Sequence, residues 1–399
     1  MAKNFYRKVL KNGMTVIFEK RDLPVVSMAF AVRYGGVNES VNERGIAHFI
    51  EHMLYKGTKK RSSKQISTLI EKNGGILNGF TDETITAFWC KLPSDKLKIG
   101  LDVLGDMVRN PLLDQKELGK ERQVIFEEMK IYHDNPVHYV FDSIQGSLYK
   151  DPLGTPLIGT HESMNSITRK KMSEKFREVY KAGDMILCVV GNADMKEITG
   201  FAEKNFKKAK SRIMTKKIEK RNKTTIETRK GIDQANLVFA FHSPLSTDKR
   251  VYASKVLMSL MANGLSSRLF TEIREKRNLA YSIMGDVTAN RFFSYSYVYV
   301  GTRKDKVDEV KKLILSEFKK VSEKLSDKEL EQAKQQVIGN YRISMEDSSG
   351  QMHQLLLSEI DGNAEDFYRF EENVKKVKLK DVKSLAKIKD HSFFALVPE

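Results

Sequence analysis

The stretch Asp114-Gln-Lys-Glu-Leu118, running on to Gln123-Val-Ile125, has a second version in Ser326-Asp-Lys-Glu-Leu330, running on to Gln335-Gln-Val-Ile338. The two are alike in sequence and stand at the same place in the order of elements around them. A chain that repeats a whole series of elements is tightly constrained, because each copy has to bury its own apolar faces in the same way. Length agrees. At 399 residues the chain exceeds the size at which a single core stops growing, so two α+β domains of similar topology are expected.

The first copy opens with a hairpin over Val9 to Phe18, turning at Asn12-Gly13, a dipeptide suited to positive φ angles. Val26, Met28, Phe30 and Val32 alternate as a strand does, Gly35-Gly36 interrupts, and a helix begins near Gly45. Ser62 or Ser63 caps a second helix through Ile70, which stops at Gly74-Gly75, and Thr84 to Leu92 reads as a strand. Helices follow from Ser94, from Asp114 to about Tyr132, and over Val137–Tyr149 and Thr168–Tyr180, then a strand over Met185–Val190 and a short helix from Asp194 to Phe206. From Lys207 to Lys223 there are nine Lys or Arg against Glu219 alone, which predicts a solvated, self-repelling linker. Beyond it the order starts again: strand Leu237–Phe241, helices over Lys249–Met261 and Ser267–Lys276, strands near Tyr281–Val287 and Phe293–Val300, helices from Asp305 and Ser326, and a last strand Phe393–Val397. The expected division is 1–206, a linker over 207–224, and 225–399.

Nearly half of the +17 net charge sits in that linker, with no aromatic platform or glycine loop beside it, so nucleic-acid binding is not expected. No run of about 18 apolar residues suggests a membrane span. The amino terminus has no apolar targeting segment, and Cys90 and Cys188 sit singly in apolar runs, as free thiols of a reducing, cytoplasmic compartment would.

Chemistry concentrates in His48-Phe-Ile-Glu51-His52. Residues three and four apart share a helix face, so His48, Glu51 and His52 project together while Phe49, Ile50 and Met53 point elsewhere. Two imidazoles and a carboxylate match the needs of a catalytic zinc, which takes three protein ligands and leaves one position for water. The candidate third ligand lies on the long helix: Glu121 and Glu128 share a face, with Glu127 turned about 100° away. Glu128 is taken as the ligand and Glu121 as a residue behind it orienting a histidine. Read from the residues alone, the histidines could equally be a surface pair and Glu121 an ordinary ion-pair partner.

The H-x-x-E-H turn, with Glu128 at its distance from His52, resembles the pitrilysin family of zinc peptidases, the inverzincins, and most of all their processing-peptidase branch. The resemblance covers nearly the whole chain. It implies an α+β fold of two duplicated α/β-roll domains, mixed or antiparallel sheets packed with helices, forming half of a peptidase clamshell. It implies one zinc ion per chain held by His48, His52 and Glu128, with Glu51 as general base. The stretch Ser266-Ser-Arg-Leu-Phe-Thr-Glu-Ile-Arg-Glu-Lys-Arg-Asn-Leu-Ala-Tyr281 is similar to a second family signature, which makes Arg274 and Tyr281 substrate-holding and oxyanion-stabilising residues. Gly74-Gly-Ile-Leu-Asn78-Gly-Phe-Thr81 looks like the family's segment before an exposed edge strand, so Asn78, Gly79, Phe80 and Thr81 are candidate substrate-binding residues; Gly79 stands where the family usually has alanine. In the second copy Val251-Tyr-Ala-Ser-Lys-Val-Leu-Met-Ser-Leu260 fills the place of the zinc helix without ligands.

The function so implied is a zinc-dependent metalloendopeptidase of unfolded peptides, working in a chamber closed by four such domains. One chain supplies two of them, so a homodimer is expected, with a heterodimer open. A non-catalytic peptide-binding or scaffold subunit is the alternative, and removal of basic presequences competes with general degradation. The positive chain would not steer cationic peptides, which favours degradation.

Overall fold

A computed structural model describes residues 4–211, 213, 215 and 217–399. Among these residues two compact units form, and they interleave along the chain. The first holds Met1–Met129, Pro156–Lys217 and Ser344–Tyr368; the second holds Lys130–Thr155, Ile218–Ile343 and Arg369–Glu399. The structure therefore departs from a division into contiguous halves by one segment in each direction. Of the basic linker, Arg212, Met214 and Lys216 lie outside the described residues.

In the first unit six strands form one sheet: β1 (Phe5–Val9), β2 (Thr15–Lys20), β3 (Val25–Val32), β4 (Ile76–Thr81), β5 (Thr86–Pro93) and β6 (Met185–Gly191), in the spatial order β1-β2-β6-β3-β5-β4. In the second unit five strands form another: β7 (Thr224–Arg229), β8 (Ala235–His242), β9 (Ala280–Ala289), β10 (Ser294–Thr302) and β11 (Ser392–Pro398), in the order β7-β11-β8-β10-β9. Leaving out β1, the two orders are the same permutation. In both, the opening strand runs parallel to the closing one and every other pair is antiparallel. The internal repeat is thus visible as topology, and the molecule has the α+β class with mixed sheets.

The helix Ile46–Leu54 lies against β4 and β5, burying Ile46, Ala47, Phe49, Ile50, Met53 and Leu54. Its start is unusual. Gly45 takes φ +92°, a Cβ there would meet the Ile158 carbonyl oxygen at 2.6 Å, and no side chain of its own can cap the helix. Glu39 caps it from a distance: its carboxylate accepts from the amides of Gly45 (3.0 Å) and Ala47 (2.8 Å). Arg44, fully buried, binds the Glu83 carboxylate through two hydrogen bonds of 2.6 and 3.0 Å and lies 3.5 Å from Glu39. Charges buried this deeply persist only when paired and hydrogen-bonded, so the loop before the helix is held in one arrangement.

Two helices cross over in sequence. Pro136–Leu148 packs on β8 and β11, and Ser348–Asp361 packs on β3 and β6, which are the equivalent strands of the other sheet. Within the first unit the Ser348–Asp361 helix is tied down by polar groups. The hydroxyls of Ser27 and Ser348 pair at 2.9 Å, and Glu359 accepts from Arg7 at 2.7 and 2.8 Å and from Arg33 at 2.8 Å. The second unit's core gathers Leu237, Phe239, Val256, Leu257, Ile314 and Phe318 between sheet and helices.

Candidate metal centre

The helix Ile46–Leu54 and the long helix Gln115–Asp134 bring His48, His52 and Glu128 together. One donor atom from each lies within 4.8 Å of the others, and this is the one such group among the described residues. Glu128 Oε2 stands 3.7 Å from His48 Nε2 and 3.6 Å from His52 Nε2. Those distances are too long for hydrogen bonds. They are close to the separation, roughly 3.4 Å, of two ligands that each sit about 2.1 Å from one tetrahedral ion. Two imidazole nitrogens and one carboxylate oxygen also form a donor set that zinc accepts, so the residues present fit the ion.

The electrostatics of the three are unequal. Burial lowers the pKa of His48 to about 4, with the neighbouring His52 adding to the effect and Glu128 opposing it. His48 is therefore neutral at physiological pH and ready to ligate. Burial also pulls on His52, but Glu128, Glu51 and Glu121 together outweigh it and the net shift is upward. Glu121 Oε2 accepts from His52 Nδ1 at 3.2 Å, and its other oxygen binds Lys56 Nζ at 2.7 Å. Glu121 thus makes both an ion pair with Lys56 and a hydrogen bond with His52. Lys56, one turn beyond His52, ties that carboxylate down from the motif helix; sequence reasoning passed over it because its partner is on another helix.

Glu51 projects beside the pair, and burial raises its pKa to about 7, with His52 lowering it and Glu128 raising it. Two phenols surround it. Burial, reinforced by the Glu51 charge, pushes Tyr55 and Tyr180 well above the usual phenol range. The carboxyl is thus held where it changes protonation near neutrality, as a group that takes and returns protons should be.

The residues expected to precede an edge strand are themselves that strand. Asn78, Gly79, Phe80 and Thr81 lie in β4, which pairs with β5 alone at the end of the sheet order. Asn78 Oδ1 accepts from the Gly79 amide at 2.8 Å, and Phe80 stacks on His353 with ring centroids 4.5 Å apart. Phe80 and His353 thus occupy one another, while Gly79 faces the motif helix.

In the second unit Arg274 and Tyr281 are neighbours. The guanidinium lies 4.9 Å from the ring of Phe270 and 4.9 Å from that of Tyr281, and donates to the Tyr281 carbonyl at 2.9 Å. Tyr281 is 79% exposed, so strand packing is not its role. Phe270–Glu275 is wound as a π-helix, a local widening that the sequence pattern does not announce and that often accompanies function. The Val251–Ala262 helix lies on β9 and β10 and carries none of the ligand types. Cys90 and Cys188 are both free and buried. No helix among the described residues is long and apolar enough to cross a membrane.

Comparison with known proteins addresses both halves. The family model described as "Insulinase (Peptidase family M16)" matches residues 15–161, and that described as "Peptidase M16 inactive domain" matches residues 166–337. A protein of Rickettsia felis named "Uncharacterized zinc protease" is 31% identical over 353 residues, spanning 87% of this chain and 85% of that one. YmxG of Bacillus subtilis, with the same description, is 29% identical over 353 residues, spanning 87% and 86%. Among solved structures, a protease from Helicobacter pylori shares the fold with a TM-score of 0.92 at 21% identity, over 99% of each chain.

Proposed function

The chain belongs to peptidase family M16, and on that premise we propose that it is a zinc-dependent metalloendopeptidase hydrolysing unfolded peptides. The observation that carries the proposal is the convergence of His48, His52 and Glu128 on one point, with the Glu51 carboxyl on the same face of the motif helix. The family model described as inactive falls on the half without those ligands, which accords with a single site in the first unit.

His48, His52 and Glu128 would hold the zinc ion, which supplies Lewis acidity by lowering the pKa of a water and polarising a carbonyl. Glu51 takes the proton of the attacking water and returns it to the amide nitrogen as the peptide bond breaks. Glu121 holds His52 by its Nδ1, so that Nε2 is the nitrogen turned toward Glu128. The open edge of β4 presents backbone donors and acceptors to which an extended peptide adds as a further strand, so selection is for unfolded chain. Arg274 and Tyr281 supply cationic and phenolic donors for the oxyanion. The working species is a homodimer, in which the second unit of one copy serves the metal site of the other.

The test is metal content by elemental analysis, together with cleavage of a tryptic digest of casein, for wild type and Glu51→Gln. One zinc per chain in both proteins with cleavage by wild type alone is the expected result. Zinc without cleavage in either protein would instead support a peptide-binding or scaffold role.

A further inference from the structure

We propose that the Tyr55 hydroxyl is a positioning group for Glu51 and that residue 79 is glycine to make room for it, an inference that rests on the peptidase reading above. Tyr55 follows Glu51 by four residues on the same helix face. Its ring packs against Phe88, with centroids 5.9 Å apart, and its hydroxyl is buried with no hydrogen-bond partner among the described residues. Gly79 approaches from β4. A Cβ on it would lie 2.5 Å from Tyr55 Oη and 2.9 Å from Glu51 Oε1, so the phenol and the carboxylate converge on the same spot.

Conformation does not demand glycine there, since Gly79 is absent from the positions with positive φ. Space demands it. Of the three atoms such a Cβ would meet, Glu51 Oε1 ends a side chain that can turn, and the Ala87 carbonyl at 3.0 Å is tight without being prohibitive. Tyr55 Oη ends a rigid ring packed on Phe88, so it can give way only if the whole ring moves. A buried hydroxyl is costly unless it finds an acceptor, and the carboxylate oxygen sharing its surroundings supplies one after a small rotation. Donation from Tyr55 then fixes the rotamer of a carboxylate that has to meet a water on one side and a leaving amine on the other.

Four full-length, zinc-loaded proteins decide it: wild type, Tyr55→Phe, Gly79→Ala and the double variant. They are compared for zinc content, thermal unfolding, and kcat and KM on one quenched-fluorescence peptide that wild type cleaves. Tyr55→Phe should keep its zinc and its KM and lose about tenfold in kcat. Gly79→Ala should lose about a hundredfold in kcat and unfold at a lower temperature. Adding Tyr55→Phe to Gly79→Ala should bring both quantities back to the level of Tyr55→Phe alone, because the methyl then occupies the place of the lost oxygen. Wild-type kcat in Tyr55→Phe, or a double variant no better than Gly79→Ala, overturns the pairing. A wild type that binds zinc and cleaves nothing overturns the peptidase reading and with it the catalytic half of this one, while the unfolding temperatures still decide the steric half.

Discussion

At the scale of single residues, the site is organised by burial working against charge. Glu51 is an acid whose pKa rises from 4.5 to about 7 on folding, so the folded protein binds that proton more tightly than the unfolded chain does. Its contribution to stability is therefore fully present below pH 4.5 and is lost as the pH rises through 7. Metal-free wild type at pH 8 carries a buried, ionised carboxylate that Glu51→Gln lacks. Metal-free Glu51→Gln should accordingly be the more stable protein at pH 8, by on the order of 1–3 kcal/mol, with the gap closing toward pH 5. Calorimetry of the two apo proteins across that range checks it, and identical melting at pH 8 would show that Glu51 does not carry a buried charge. His48, lowered to about 4, acts with the opposite sign and cancels between the two proteins. The clustering of His48, Glu51 and His52 was legible in the sequence because its geometry is local, set by the three- and four-residue spacing of one helix. Tyr55, Lys56 and Glu39 were not: each is an ordinary residue until β4, the Gln115–Asp134 helix or the Gly45 turn is placed beside it.

At the scale of elements, the Ser348–Asp361 helix shows how a segment far away in sequence is secured in the first unit. Leu355 and Leu356 are wholly buried, as their apolar character predicts, but which sheet they cover depends on contacts that no local pattern records. Polar contacts add the specificity. Glu359, 1% exposed at its side chain, accepts from both Arg7 and Arg33, which are themselves about a quarter exposed. Glu359→Ala leaves two guanidinium groups facing each other, and the expected loss is about 2 kcal/mol, below the value for a fully buried pair because water reaches the arginines. A lower denaturant midpoint, read alongside an unchanged midpoint for Glu371→Gln in the exposed Arg342–Glu371 pair, is the measurement. An unchanged Glu359→Ala would mean that the Arg7 and Arg33 contacts do not secure the helix. β4 was hard to read for a related reason. Asn78 and Gly79 are poor strand formers, and a strand with one neighbour and a glycine chosen for close approach breaks the propensity rule where it serves the site.

At the scale of the whole molecule, duplication is what the sequence repeat and the matched strand orders have in common, and it leaves the two halves chemically unequal. His48, Glu51, His52 and Glu128 belong to one unit; Arg274 and Tyr281 belong to the other. In the proposed homodimer these sets work across copies, with the Arg–Tyr pair of one chain serving the metal site of its partner. Two variants, each inactive for a different reason, then complement. Glu51→Gln chains keep Arg274, and Arg274→Ala chains keep Glu51. A dimer formed from one of each has one complete site and one that lacks both groups. Unfolding the two together in equal amounts and refolding them should return about a quarter of wild-type activity, since half of the randomly assorted dimers are mixed and each carries one working site. Mixing without subunit exchange should return none. If gel filtration shows one dimeric species and the refolded mixture stays inactive, each copy completes its site from its own second half. If the wild type runs as a single chain and cleaves peptides, the dimer is not the working species.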